Sequence, residues 1–178
     1  MAKGHGKGGQ FERDVCREIS LWWSDGTNDD WFWRSSQSGG RATQRAKNGQ
    51  TTINAAGDIA AQCGEAQVLL DYTTWELKRG YPRVSVADLY EKTSGGFWDF
   101  IDQAKKSASL AGTPYWAVIH KRDRRDAVIV MPAAALGLVS DFGEESPEDA
   151  LIAHNYHLFL TDPSLKTLLK SAIENGRR

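Results

Sequence analysis

Apolar positions recur at helical spacing from Phe11 onward, through Val15, Cys16, Ile19, Trp22 and Trp23, and Asp25-Gly26 closes the run. This pattern predicts an amphipathic helix, preceded by a Gly/Lys-rich leader over residues 1–10 that is expected to be flexible. WFWRSS, residues 31–36, turns to strand character rich in aromatics. Residues 39–56 then hold no aromatic and little apolar content, the composition of a functional or disordered loop. GDIAAQC and VLLDYTTWELKRG read as two strands joined through the turn-like GEAQ, a predicted hairpin. Ser85 is placed to cap a short helix running to Tyr90. A longer helix is expected over residues 96–110, with Phe97, Ile101, Ala104 and Ala108 on one face and Gly112 as its stop. PYWAVIHK and AVIVMP read as strands joined by RDRRD, YHLFLT as a further strand, and PSLKTLLKSAIENG as a closing helix. No internal repeat interrupts this order. The fold class it predicts is α/β, a mixed central β-sheet flanked by helices.

Composition narrows the function classes. The chain has 178 residues, 40% hydrophobic and 25% charged, with seven tryptophans, which fits one globular domain. No apolar run reaches the ~18 residues of a membrane span, and no apolar stretch follows the first lysines, so a soluble cytoplasmic protein is expected. Cys16 and Cys63 are too few and too far apart for a disulfide framework or a zinc site. The four histidines His5, His120, His154 and His157 have no metal-binding spacing and read as surface or packing residues. Net charge is only −1, yet residues 72–125 carry +4 and residues 126–178 carry −4. Ordinary solvated faces would give this, and so would a basic face that meets phosphates.

The candidate chemistry lies on WELKRG. Glu76 and Lys78 are two apart, so strand pleating puts them on one face while Leu77 points away. Asp58 can be brought beside Glu76 by the preceding strand. Two carboxylates converging at a strand end suit a hard, oxygen-seeking cation such as Mg²⁺, and a nearby ammonium can orient water and offset phosphate charge. A surface ion pair at a strand end is the other reading of the same residues. Glu12 falls on the apolar side of the first helix, at offsets of four, seven and eleven from Cys16, Ile19 and Trp23. It could be a third carboxylate of the site, or a first-turn acid favoured by the helix dipole.

The succession GGQFERDV, RSSQSGG, GDIAA, WELKRG, FIDQAKK and PYWAVIHK resembles a PD-(D/E)XK nuclease core. Within that superfamily it is most similar to archaeal-type Holliday junction resolvases and their phage-borne relatives, over residues 7–132. The resemblance implies a restriction-endonuclease-like fold and a metal set of Glu12, Asp58 and Glu76, with Lys78 as the catalytic lysine. It also implies Ser38 near the scissile phosphate and Gln103 beside the site. Gly57 stands where the family has proline, and the step from Asp58 to Glu76 is long at 18 residues, which suggests extended hairpin strands. Residues 133–178 lie outside the resemblance and read as a C-terminal extension packed on the nuclease core of residues 1–132.

The implied activity is Mg²⁺-dependent, structure-selective endodeoxyribonuclease cleavage, with Mn²⁺ able to substitute. The expected substrate is a four-way junction or other branched DNA in a bacterial or phage-infected cell. A homodimer is expected, because a symmetric junction needs two matched cuts. A restriction-like endonuclease or a recombination exonuclease of the same fold, or a non-catalytic DNA-binding module, are the alternatives. Phosphate contacts are expected from Arg34, Arg41, Arg45, Lys47, Arg79, Arg83, Lys105 and Lys106, with Lys121, Arg122, Arg124 and Arg125 completing the basic set. Trp22, Trp23, Trp31 and Trp33 read as core packing or a dimer seam in preference to base stacking.

Overall fold

The structure is a computed structural model that describes residues 5–35, 57–138 and 150–176, with side chains from Gly8 onward. Helix α1 (His5–Trp23) buries the predicted stripe of Phe11, Val15, Cys16, Ile19, Trp22 and Trp23. It begins six residues before Phe11, so most of the Gly/Lys segment expected to be flexible is helical. Propagating a helix already nucleated by packing costs little per residue, and this offsets the poor propensity of Gly8 and Gly9.

Strands β1 (Phe32–Arg34) and β2 (Ile59–Ala61) pair antiparallel in a two-stranded ribbon. The predicted hairpin between β2 and the next strand does not form. GEAQVLLDY is instead helix α2 (Gly64–Tyr72), which buries Ala66, Leu69 and Tyr72 at three-residue spacing and runs straight into β3 (Thr73–Arg79). The apolar residues of this run follow a helical period, and the β-branched pair Thr73-Thr74 marks the change to strand. The 18-residue step from Asp58 to Glu76 is therefore filled by a helix and not by extended strands.

Beyond β3 come the short helix α3 (Asp88–Glu91), helix α4 (Phe97–Ala111) ended by the left-handed Gly112, and strand β4 (Tyr115–Lys121) parallel to β3. Strands β5 (Val128–Pro132) and β6 (Leu151–Asn155) extend the sheet antiparallel, in the order β3-β4-β5-β6. YHLFLT, predicted as a strand, is helix α5 (Tyr156–Thr161). The Asn155 side chain accepts the Leu158 N–H and turns the chain into that helix, and Tyr156 and Phe159 bury at helical spacing. Helix α6 (Pro163–Gly176) follows as expected.

The pleat divides the sheet between two cores. Trp75, Leu77, Ala117, Ile119, Ile129 and Met131 pack with α1, α2, α5 and α6. Trp116, Val118 and Val130 pack against Phe97, Phe100, Ile101, Ala104 and Ala108 of α4. Tyr156, Phe159, Leu169 and Ile173, which follow residue 132, belong to the first core. Among the described residues, no helix is long and apolar enough to cross a membrane.

Candidate active site

Gly57 sets the geometry of the site. Its φ is +83°, and a Cβ there would lie 2.8 Å from the Trp75 carbonyl oxygen and 2.9 Å from Thr74 Cγ2. Only glycine lets the chain take this turn so close to β3. Proline, with φ fixed near −65°, is excluded at the position where the family carries it. The turn delivers Asp58 onto the edge of β3. Its N–H donates to the Trp75 carbonyl at 2.8 Å, its own carbonyl accepts the Ser35 N–H at 2.8 Å, and its Oδ2 accepts the Leu77 N–H at 2.8 Å. Asp58 thus grips the residues on either side of Glu76, by an edge contact and not by the hairpin expected from the sequence.

Glu76 and Lys78 point to the α4 side of the sheet, as their spacing requires, and both are buried. Lys78 Nζ donates to Glu76 Oε2 at 2.8 Å. Two residues of α4, one helical turn apart, complete the set: Gln103 Nε2 donates to Oε2 at 3.0 Å and Ser107 Oγ to Oε1 at 2.6 Å. Both Glu76 oxygens are hydrogen-bonded, as the burial of a polar group requires. Gln103 is legible in the sequence, whereas Ser107 lies in none of its motifs. Its signal was the i, i+4 relation to Gln103, which puts both on the same edge of a helix.

Asp58 is less comfortable. Burial raises its pKa to about 6, and the Glu76 charge pushes in the same direction, with a smaller contribution from Glu12. The Leu77 N–H and the Lys78 ammonium oppose the rise. Two neighbouring carboxylates of which one resists ionisation form a donor set that a hard cation would relieve, so these residues fit a divalent metal.

The expected three-carboxylate metal cage is not formed. Among the described residues no three His, Cys, Asp or Glu side chains come together closely enough to hold a metal ion. Two of the three acids are instead paired locally. Glu12, on α1, has its Oε2 2.7 Å from Arg34 Nε, while Glu76 faces Lys78, Gln103 and Ser107. Arg34, expected on phosphate, is engaged with this carboxylate.

A family model described as "Phage putative PDDEXK endonuclease" matches residues 3–156. The chain belongs to the phage PDDEXK endonuclease family. No curated protein and no solved structure is significantly similar to it. Membership makes the chain a nuclease of restriction-endonuclease-like fold, and PDDEXK nucleases usually use a divalent metal. Asp58, Glu76 and Lys78, the residues that the resemblance in sequence implies for the site, come together at the edge of β3.

The remaining candidates divide. Ser38, Arg41, Arg45 and Lys47 lie outside the described residues. Arg79, an odd position of β3, turns to the face opposite Glu76 and Lys78. There its Nη2 donates to Asp123 at 2.8 Å and its guanidinium carbon lies 6.0 Å from the Phe11 ring centroid. Expected on DNA, it lies on the face of β3 away from Glu76 and Lys78. Arg83, Lys105 and Lys106 are exposed, the lysines on the same helix as Gln103 and Ser107. A cleft of about 510 Å³ lined by Phe11, Arg79, Lys121 and Tyr156 contains neither Asp58 nor Glu76 and belongs to that opposite face. His120 is a packing residue, as expected, buried edge-on against Phe97 and Phe100.

Proposed function

We propose that this nuclease is a Mg²⁺-dependent, structure-selective endodeoxyribonuclease that cuts branched phage DNA, with the four-way junction as its foremost substrate. The observation that carries the reading is the convergence of Asp58, Glu76 and Lys78, with Gln103 and Ser107 holding the glutamate. Asp58 and Glu76 would hold the cation, and Mn²⁺ would serve as well, because both ions take oxygen donors. When bound, such an ion acidifies a coordinated water and stabilises the charge that develops on the phosphate. Lys78 offsets phosphate charge beside Glu76, and Asp58 orients the donor set through its grip on β3. Glu12 becomes available to the site if Arg34 moves from its carboxylate to a phosphate oxygen, since a guanidinium pairs with either oxyanion.

Arg83, Lys105 and Lys106, with Arg41, Arg45 and Lys47, would supply sequence-independent phosphate contacts. A homodimer would supply the two matched cuts of a symmetric junction. A restriction-like endonuclease or recombination exonuclease of the same family is the competing activity, and the substrate separates them. Four-way, nicked and linear duplexes of shared sequence, incubated with Mg²⁺ or with EDTA, form the test. Metal-dependent cutting of the junction well ahead of the linear duplex is expected. Equal cutting of all three would replace the structure-selective reading with a general endonuclease. Digestion from free ends alone would make it an exonuclease.

A further inference from the structure

Of the four N-terminal tryptophans expected in core packing or a dimer seam, Trp33 is not in the core. Trp22 and Trp23 are buried and Trp31 is half-buried, but Trp33 is 58% exposed. The remaining tryptophans, Trp75, Trp98 and Trp116, are buried or half-buried. An indole left this open on a strand loses the burial that normally justifies its size.

Its position on the ribbon gives the exposure a meaning. Phe32 and Arg34 turn toward α1, where the Phe32 N–H donates to Ser20 Oγ and Arg34 pairs with Glu12. Strand alternation then puts Trp33 on the other side, with its cross-strand partner Ala60. Alanine is too small to cover an indole. In the four-stranded sheet α1 covers the Trp75 and Leu77 face, so Glu76 and Lys78 also lie on the side away from α1. Asp58 is two residues before Ala60 along the chain, about 7 Å at the rise of a strand. The open ring therefore stands one strand away from the turn that carries Asp58, on the ribbon face opposite the Arg34–Glu12 pair.

We infer that Trp33 is a stacking platform for a base with an uncovered face, at a branch point or in a single-stranded tail, next to the phosphate that is cut. The inference rests on the nuclease reading and deepens it by naming a substrate feature. Inside a duplex both faces of a base are covered by its neighbours, whereas a base at a branch, flap or single-stranded tail has a free face. Stacking of such a base on an aromatic ring is tolerant of sequence. Trp33 would thus favour branched or tailed DNA over blunt duplex without reading sequence.

The test uses the full chain carrying Asp58→Asn, which keeps DNA intact, combined with Trp33→Ala, Trp33→Leu or Trp33→Phe. The probes are a duplex with a single-stranded thymidine tail and the blunt duplex of the same sequence. Binding and the quenching of tryptophan fluorescence are measured for each. The expected result is about tenfold weaker binding of the tailed duplex by the Ala and Leu variants, with loss of the tail-induced quench. The Phe variant should stay within about threefold of the parent, and the loss on blunt duplex should be much smaller than on the tailed one. Thermal unfolding should be unchanged, since the ring is exposed. Equal binding of the tailed duplex by parent and Ala variant would overturn the inference and leave the nuclease reading standing. So would equal losses on both DNAs. A change in sedimentation with unchanged DNA binding would assign the ring to contact with a second copy of the chain, and would also overturn it. Failure of the parent to bind either DNA would overturn both readings together.

Discussion

Asp58 Oδ2 accepts the backbone N–H of Leu77 at 2.8 Å, so the carboxylate is fixed to the strand residue immediately after Glu76. This contact brings two acids together at the edge of β3 and holds Asp58 where burial and the Glu76 charge resist its ionisation. The arrangement costs stability in the absence of a cation, and the cost has a sign that can be measured.

Asp58 has a folded pKa of about 6 against an ordinary 3.8. A raised carboxyl pKa contributes stability that is full below pH ~4 and is lost as pH rises through about 6. In metal-free buffer at pH 7.5, Asp58→Asn should therefore stabilise the protein by about 1–2 kcal/mol, because the amide oxygen can still accept the Leu77 N–H without a charge. Thermal unfolding in EDTA checks this. Adding Mg²⁺ or Mn²⁺ should raise the melting temperature of the wild type and leave that of the variant nearly unchanged.

Ser107 acts through Glu76. Ser107→Ala frees Oε1 of the buried carboxylate and should cut turnover about 10- to 100-fold, the range found for residues that orient metal ligands. The metal concentration for half-maximal cleavage should rise while the affinity for DNA stays the same. Ser107→Thr, which keeps the hydroxyl, should recover most of the rate. A metal titration of cleavage in the three proteins measures this split.

His120 gives the opposite pH signature. Burial, helped by the nearby Arg122 charge and opposed by Asp88, lowers its pKa to about 4. Stability attributable to it is present above pH ~6.5 and is lost as pH falls through about 4. His120→Leu should therefore narrow the difference in urea midpoint between pH 7 and pH 4.5. The comparison of wild type with variant isolates this residue from other groups that titrate in the range.

Gly57→Ala should lower stability by about 1–3 kcal/mol, since the new Cβ meets the Trp75 carbonyl at a backbone angle that disfavours side chains. Cleavage should fall further than stability explains, because the same shift moves Asp58 off β3. Activity assayed well below the melting temperature of the variant separates the two effects.

Local patterns in the sequence carried the charged core of the site. Glu76 and Lys78 share a face because a strand has period two, and the stripe of α1 and the face of α4 follow from helical spacing. The route by which Asp58 reaches Glu76 was not legible. An edge contact made by a positive-φ glycine looks, in sequence, like any short turn, and GEAQ reads as a turn and VLLDY as strand until the three-residue burial period of Ala66, Leu69 and Tyr72 is weighed against the apolar run. Helix α5 hid behind the β-rich composition of YHLFLT, where one Asn155 side chain decides the conformation. The pairings of Arg34 with Glu12 and Arg79 with Asp123 are tertiary, and sequence could show only that these arginines were basic.

The claim that Asp58 and Glu76 are the metal-dependent catalytic pair is tested most directly by four-way junction cleavage. Wild type, Asp58→Asn and Glu76→Gln are compared in Mg²⁺ and in EDTA, with junction binding measured alongside. Cutting by the wild type in Mg²⁺ alone, and its loss by at least about 1,000-fold in both variants with binding retained, is the result predicted. Near wild-type cutting by either variant, or undiminished cutting in EDTA, would contradict it.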